Sequence, residues 1–188
     1  MCKCPPPGLG SGCSLTCALA PTTRPLHHAQ RLLQCVLALH EKGFAHLDLK
    51  TKHFLLFGGE WKLIDLDNAQ AEGAEIPASA TACTVRYAAP ELVRARRAGE
   101  AYGVTPATDV WAMALVLCHL FTAKPLHENE ELEELEEQLE KRPHEVASRL
   151  ERAEGLTKPQ QRLLHEMVAV HQPADDRPHP LSTAPARC

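Results

Sequence analysis

The sequence predicts a mainly α-helical fold, in which a helical bundle carries one small β-hairpin. Three long segments repeat their apolar residues at the spacing of a helix face. Two short apolar runs, residues 53–57 and 61–64, flank Gly58-Gly59-Glu60, and such runs around a Gly-Gly turn are typical of a hairpin. The 188 residues are enough for one domain with its own apolar core.

The first two predicted helices differ in the arrangement of their apolar residues. Residues 26–42 have apolar positions three to four apart, and Gly43 follows as a C-terminal stop. Residues 105–123 begin with Thr, Pro, Ala, Thr and Asp, which favour a helix start, and are then apolar nearly all round. We therefore expect an amphipathic helix and, later in the chain, a fully buried helix whose apolar part is too short to cross a membrane.

Two further helices are predicted in the C-terminal half. Residues 159–170 are amphipathic, and Pro159 suits the first turn of a helix. The glutamate-rich segment 128–142 has three leucines on one helical stripe, and we expect all of them to pack against the core: Leu132, Leu135 and Leu139.

Charge and cysteine content exclude several functional classes. The net charge of −4 gives no general attraction to nucleic acid or to anionic membranes. Much of this charge is local, because residues 128–142 hold eight glutamates against one lysine and one arginine. The eight cysteines form no Cys-x-x-Cys pair and are interpreted as independent reduced thiols, which favours an intracellular, cytoplasmic protein.

Polar residues with catalytic potential lie at both ends of the hairpin. Asp48 and Lys50 precede its first strand, and Asp65 and Asp67 follow its second strand. Because a hairpin folds back on itself, its two outer ends lie side by side, so we expect Asp48, Lys50 and Asp65 to be close together. Two carboxylates and an ammonium group on a rigid scaffold suit proton abstraction beside a metal-bound phosphate.

Several motifs in order give the chain a resemblance to a known family. They are HLDLKTKH at 46–53, DLD at 65–67, CTVRYAAPE at 83–91, DVW at 109–111 and PADDRP at 173–178. In this order and spacing they resemble the C-terminal lobe of the eukaryotic protein kinases, with a serine/threonine-type catalytic loop. The hairpin then corresponds to the strands that carry the catalytic and magnesium loops, and the lobe covers residues 25–181.

The resemblance implies a role for each residue of the catalytic loop. Asp48 would be the catalytic base, Lys50 would steady the transferred phosphate, and the Thr84 hydroxyl would hydrogen-bond both. Asp65 would bind magnesium, and His53 stands at the second position of the ATP–magnesium site. ATP and Mg²⁺ are therefore the implied cofactors, and a protein is the implied substrate or partner.

Four further residues have structural roles by the same resemblance. His46 begins the catalytic loop, and Asp109 would brace the backbone of that loop. Glu91 would form an ion pair with Arg177, 86 positions later in the chain. As the first acidic residue of a helix, Asp109 could equally be a helix cap.

The chain departs from the family pattern at several positions. His53 replaces an asparagine, and a neutral imidazole is a poor ligand for magnesium, so a partly buried residue at the start of a strand is the better interpretation. Asp67 replaces a glycine and stiffens its loop. Leu47 replaces the arginine that pairs with a phosphorylated residue, so phosphorylation should not order this loop in the usual way. The possible phosphorylation sites concerned are Ser79, Thr81 and Thr84.

The N-terminal lobe of the family should also be absent. Residues 1–24 contain a glycine cluster, but no strand pattern surrounds it and no Val-Ala-x-Lys follows it. We expect a disordered tail at 1–24 and a second tail at 182–188. Residues 68–82 are small, polar and rich in turn formers, which predicts a loop.

Three interpretations of function remain open. The first is a serine/threonine protein kinase domain that is truncated and inactive or weakly active as it stands. The second is a pseudokinase-type binding or regulatory module, favoured by Leu47, His53 and Asp67. The third is a fragment with no independent function.

Overall fold

The computed structural model describes residues 13–14, 25–80 and 83–169. Helices dominate this part of the chain, so the predicted mainly α fold is confirmed. Six α-helices are present in the described residues: α1 Pro25–His40, α2 Pro90–Ala98, α3 Ala107–Thr122, α4 Leu132–Lys141, α5 His144–Arg152 and α6 Lys158–Ala169.

The predicted hairpin is present and positions the candidate site. Strand β3 (Phe54–Phe57) pairs antiparallel with β4 (Glu60–Leu63), and Phe57 lies opposite Glu60. Gly58 and Gly59 have φ values of 59° and 85°, which a two-residue turn of this kind requires and glycine adopts without strain. Glu60 therefore belongs to the second strand and not to the turn.

Short strands tie the rest of the chain to this hairpin and to each other. Strand β1 (Cys13–Ser14) pairs with β3, and it lies within the segment that the sequence predicts as a tail. Strand β2 (Phe44–Ala45) pairs with β5 (Gln70–Ala71). Strand β6 (Glu75–Ile76) pairs with β7 (Tyr102–Gly103). The segment 68–82, which the sequence predicts as a loop, therefore contains two short strands, β5 and β6.

Helix α3 forms the centre of the core. Eleven of its 16 residues are buried, which confirms the predicted burial. It packs against α1 and α6, and α1 also packs against β4. Within the described residues, no helix combines the length and the hydropathy that a membrane span needs.

The glutamate-rich helix corrects one detail of the prediction. Leu135 and Leu139 are fully buried, as expected, but Leu132 is 50% exposed. Leu132 is the first residue of α4, so its side chain lies at the edge of the contact between α4 and α2. The prediction that all three leucines pack against the core was therefore wrong for Leu132.

Candidate active site

Asp109 holds the start of the catalytic loop in place. Its side chain is fully buried in the first turn of α3. The backbone N–H of His46 donates to Oδ2 at 2.7 Å, and that of Leu47 donates to Oδ1 at 2.9 Å. The imidazole of His40, at the end of α1, lies 2.8 Å from Oδ2. These contacts fix Leu47 at a φ of 66°, a value uncommon for residues other than glycine.

Asp48, Lys50 and Thr84 form one hydrogen-bonded group. The ammonium group of Lys50 donates to Asp48 Oδ2 at 2.7 Å and to the Thr84 hydroxyl at 3.0 Å. The backbone N–H of Thr84 donates to Asp48 Oδ1 at 2.8 Å. Both carboxylate oxygens of Asp48 are thus held by charged or backbone donors, while their second lone pairs remain available to a substrate hydroxyl.

These contacts also set the charge of Asp48. Burial raises the pKa of its carboxyl group, but the hydrogen bonds from Lys50 and Thr84 outweigh burial. The net result is a pKa below the usual value for aspartate, so Asp48 is ionised at neutral pH. An ionised carboxylate that can still accept a hydrogen bond is suited to orient a hydroxyl nucleophile.

His46 connects the catalytic loop to the hairpin. Its Nε2 donates to the backbone carbonyl of Ile64 at 3.2 Å, and its Nδ1 accepts a long hydrogen bond from the backbone N–H of Asp48 at 3.4 Å. Its ring stacks on that of His53 with a centroid distance of 5.4 Å. His46 therefore spans the two segments that bring Asp48 and Asp65 together.

The hydrogen bond from His46 to Ile64 joins the two outer ends of the hairpin, and His53 contacts Asp65. His53 ends a short 3-10 turn before β3, and its side chain is 6% exposed. Its Nε2 lies 2.9 Å from Oδ2 of Asp65, a residue with a left-handed φ of 62°. Burial and the nearby charge of Lys50 lower the pKa of His53, so this contact joins a neutral ring to the Asp65 carboxylate.

The expected pairing of Glu91 falls partly outside the described residues. Glu91 lies in the first turn of α2, and its Oε1 accepts a hydrogen bond from the Thr108 hydroxyl at 3.3 Å. Tyr102 also hydrogen-bonds this hydroxyl. Arg177 lies beyond the residues that the structure describes, so its pairing with Glu91 stays a prediction.

Leu47, where the family has a phosphate-binding arginine, is a buried residue. Leu47 is buried in a small apolar cluster with Ile76, Tyr102 and Val104. Ser79 is exposed in a 3-10 turn, whereas the Thr84 hydroxyl already bonds Lys50. Thr81 lies outside the described residues.

Arg86 is a structural residue that the sequence interpretation missed. Its guanidinium group donates to the backbone carbonyls of His127 and Glu130, in the connection between α3 and α4. Arg149 pairs with the carboxylate of Glu130 from α5. The segment 83–91 is therefore anchored to two helices beyond it. Its signal in the sequence was an arginine inside a motif of otherwise apolar and small residues.

Comparison with known proteins now identifies the family. A family model described as the protein kinase domain matches residues 21–179, which is most of the chain. The chain belongs to the protein kinase family.

Individual kinases are similar over about half of this chain. Cyclin-dependent kinase F-3 of Oryza sativa subsp. japonica is 33% identical over 96 residues, which is 51% of this chain and 21% of that protein. Serine/threonine-protein kinase AtPK2/AtPK19 of Arabidopsis thaliana is 30% identical over 99 residues, or 52% and 20%. Dual specificity protein kinase TTK of Mus musculus is 30% identical over 99 residues, or 48% and 12%. The matched region thus spans about a fifth or less of each relative.

Kinases use ATP and Mg²⁺, and the metal position here does not fit magnesium. Magnesium requires near-octahedral oxygen ligands. His53 offers a nitrogen in place of an oxygen, and this nitrogen lies 2.9 Å from one oxygen of Asp65. Asp67 is exposed in a neighbouring 3-10 turn. In the part of the chain that the structure describes, no three His, Cys, Asp or Glu side chains are grouped to hold a metal ion.

Proposed function

We propose that this chain is the base-bearing lobe of a serine/threonine protein kinase domain, and that alone it transfers phosphate weakly or not at all. The lobe would cover residues 25–181, with residues 1–24 and 182–188 as tails. The observation that carries this proposal is the Asp48 carboxylate, held between Lys50 and Thr84 with acceptor capacity left over. Lys50 in this position favours serine and threonine over tyrosine as substrate residues.

The mechanism assigned to these residues is one of orientation. Asp48 would accept a hydrogen bond from the substrate hydroxyl and take its proton as the hydroxyl oxygen bonds to the terminal phosphorus of ATP and the bond from that phosphorus to the ADP leaving group breaks. Lys50 is close enough to Asp48 to stabilise negative charge on the transferred phosphate. Thr84 hydrogen-bonds both groups, so the Asp48 carboxylate and the Lys50 ammonium group would already be in position when the substrate binds.

Two observations support the proposal that the chain alone transfers phosphate weakly or not at all. The His53 side chain contacts the carboxylate that the family uses for metal, at 2.9 Å. The family also uses a strand lysine that pairs with a helix glutamate. Within residues 25–80 and 83–169 the one lysine on a strand is Lys62, and it pairs with Glu60 of the same strand. ATP would therefore lack several of its usual contacts.

A chimera tests the proposed role of Asp48. The chain would carry His53→Asn and be fused to the N-terminal lobe of a related kinase, and transfer from labelled ATP to a serine/threonine peptide mixture would be measured. We expect transfer by the chimera and a loss of roughly 10²–10⁴-fold with Asp48→Asn. Transfer that survives Asp48→Asn would refute the assignment of Asp48 as the base.

A binding or regulatory module is the second candidate, and the His53–Asp65 contact favours it. The two candidates differ in how the His53→Asn variant responds to ATP. A ligand that binds only the folded state raises its stability. Magnesium-dependent thermal stabilisation of His53→Asn by millimolar ATP would support the kinase, whereas no shift for that variant would support the binding module.

A further inference from the structure

His53 and Asp65 place a nitrogen and an oxygen at the spacing of neighbouring ligands of one metal ion. Nε2 of His53 lies 2.9 Å from Oδ2 of Asp65. Two ligand atoms that bind an octahedral ion at ~2.1 Å and at right angles are about 3.0 Å apart. The two side chains can therefore bind one ion between them with little movement of either.

The ring of His53 is held in place without a hydrogen bond at Nδ1. Its side chain is 6% exposed, and its ring stacks on that of His46. Nδ1 is buried and has no hydrogen-bond partner among the described residues. No partner therefore fixes which ring nitrogen carries the proton. A proton on Nδ1 leaves the lone pair of Nε2 free for a metal ion, and this change breaks no hydrogen bond of Nδ1.

The charges around His53 favour a cation. The charged side chains that act on its ring are the carboxylates of Asp48 and Asp65 and the ammonium group of Lys50. Two negative charges and one positive charge leave a local charge of −1 beside a neutral ring. Burial lowers the pKa of His53, so the ring is neutral at pH 7, and the neutral form of imidazole is the one that binds metals. Asp65 is exposed, so an ion can reach its carboxylate from solvent.

The donor atoms and their spacing determine which ions fit. Imidazole nitrogen suits first-row transition metals, whereas Mg²⁺ prefers oxygen ligands. A tetrahedral ion such as Zn²⁺ separates neighbouring ligands by about 3.4 Å at this bond length, which exceeds the observed 2.9 Å. Octahedral transition-metal ions therefore fit best, and their affinity rises from Mn²⁺ to Co²⁺. Their other positions remain for water or phosphate oxygens.

We propose that His53 and Asp65 form a site for an octahedral divalent transition-metal ion of the Mn²⁺ to Co²⁺ class, and that this site discriminates against Mg²⁺. The histidine that makes the position unfit for magnesium is then the ligand that selects the other ions. The chain supplies two ligands, in agreement with the absence of three grouped metal-binding side chains from the described residues.

The metal site is independent of the proposed phosphoryl transfer. Ion binding is measured without ATP, and it does not require Asp48 to act as a base. A chimera that fails to transfer phosphate would refute the proposed catalysis alone. Failure of the unchanged chain to bind transition metals would refute this site alone.

Calorimetric titration of the unchanged full chain tests the selectivity of the site. The probes are the chlorides of Co²⁺, Mn²⁺ and Mg²⁺, each titrated separately at neutral pH without nucleotide. We expect Co²⁺ to bind most tightly, Mn²⁺ to follow, and Mg²⁺ to bind at least about tenfold more weakly than Co²⁺. Equal affinities for Co²⁺ and Mg²⁺ would overturn the proposal.

Three variants locate the ion on the chain. His53→Asn and Asp65→Asn each lose one ligand and should weaken the binding of Co²⁺ and Mn²⁺ at least about tenfold. His53→Asn should also lose the preference for Co²⁺ over Mg²⁺, because it replaces nitrogen by an amide oxygen. His27→Asn is the matched control, since His27 is an exposed histidine outside the site, and its affinities should stay within about twofold. Equal melting temperatures without metal verify that all the variants are folded.

Other binding positions are distinguished by the same titrations. Thiolates bind soft ions and suit Mn²⁺ poorly, so the Mn²⁺ titration separates the site from the cysteines. Mn²⁺ binding that survives both His53→Asn and Asp65→Asn would place the ion elsewhere and overturn the proposal. Equal weakening by His27→Asn would assign the ion to exposed histidines and overturn it as well.

Discussion

The two sides of the candidate active site are held in different ways. Asp48 is 9% exposed and accepts hydrogen bonds from Lys50 and Thr84, on a loop that the buried Asp109 braces. Asp65 is 46% exposed, and the neutral ring of His53 contacts it at 2.9 Å. The position of Asp48, on what we call the base side, is therefore held by several segments together. The position of Asp65, on what we call the metal side, depends on one neighbouring side chain.

This difference shows which features of the site a single substitution can change. To displace Asp48, several hydrogen bonds from two segments would have to break, and buried polar groups that lose their partners are costly. The Asp65–His53 contact is separate from the hydrogen bonds of Asp48, so a substitution of His53 can change it without breaking them. We propose that His53, in place of the family's asparagine, alters the metal side and leaves the base side intact.

The largest expected effect comes from removing the brace of the base side. Asp109→Ala leaves the backbone N–H groups of His46 and Leu47 without their acceptor, in a fully buried environment. We expect a loss of at least about 3 kcal/mol in the free energy of unfolding, measured by urea denaturation. Asp67→Ala, at an exposed position, is the control and should stay within about 0.5 kcal/mol. A similar small loss for both variants would show that Asp109 does not brace the loop.

A smaller effect is expected from the charge of Asp48. Its folded-state pKa lies below the unfolded value of about 3.9. Its ionised form therefore stabilises the fold above about pH 4, and this contribution is lost as the pH falls through the folded-state pKa. The stability difference between the unchanged chain and Asp48→Asn should be constant near neutral pH and shrink in acid. A difference that grows as the pH falls would mean that the pKa is raised.

The smallest effect is expected in the loop that the family regulates by phosphorylation. Ser79 is exposed, and the position of the usual phosphate-binding arginine is taken by the buried Leu47. Ser79→Glu should therefore change the free energy of unfolding by less than about 0.5 kcal/mol. Thermal melting of this variant beside Ser79→Gln separates the effect of charge from that of size. A clear stabilisation by Glu alone would reveal a cationic partner and contradict the account.

The parts of the fold that the sequence predicted well have strong local signals. The hairpin follows from its two apolar runs and Gly58-Gly59, and α3 from its length and uniform apolarity. Helix α5 was not predicted, because its nine residues are too few to be stable alone. It is formed through packing of Val146 and Leu150 and through its contact with α6.

The candidate site was predictable to the extent that it follows the family motif. The sequence motifs identified Asp48, Lys50 and Thr84, and these three residues lie together. They could not reveal that His53 bonds Asp65, because that contact depends on a rotamer and on the left-handed backbone at Asp65. The contact of His40 with Asp109 likewise joins residues 69 positions apart, with no periodicity to indicate it.

The central claim is that the base side is intact while His53 occupies the metal side. The direct measurement is the melting temperature of the unchanged chain and of His53→Asn, each with and without 10 mM Mg²⁺ (roughly 1.4 kcal/mol of stabilisation for a site with a Kd of about 1 mM). We predict that magnesium raises the melting temperature of His53→Asn by a few degrees and leaves that of the unchanged chain unaltered. An equal rise in both proteins would contradict the claim.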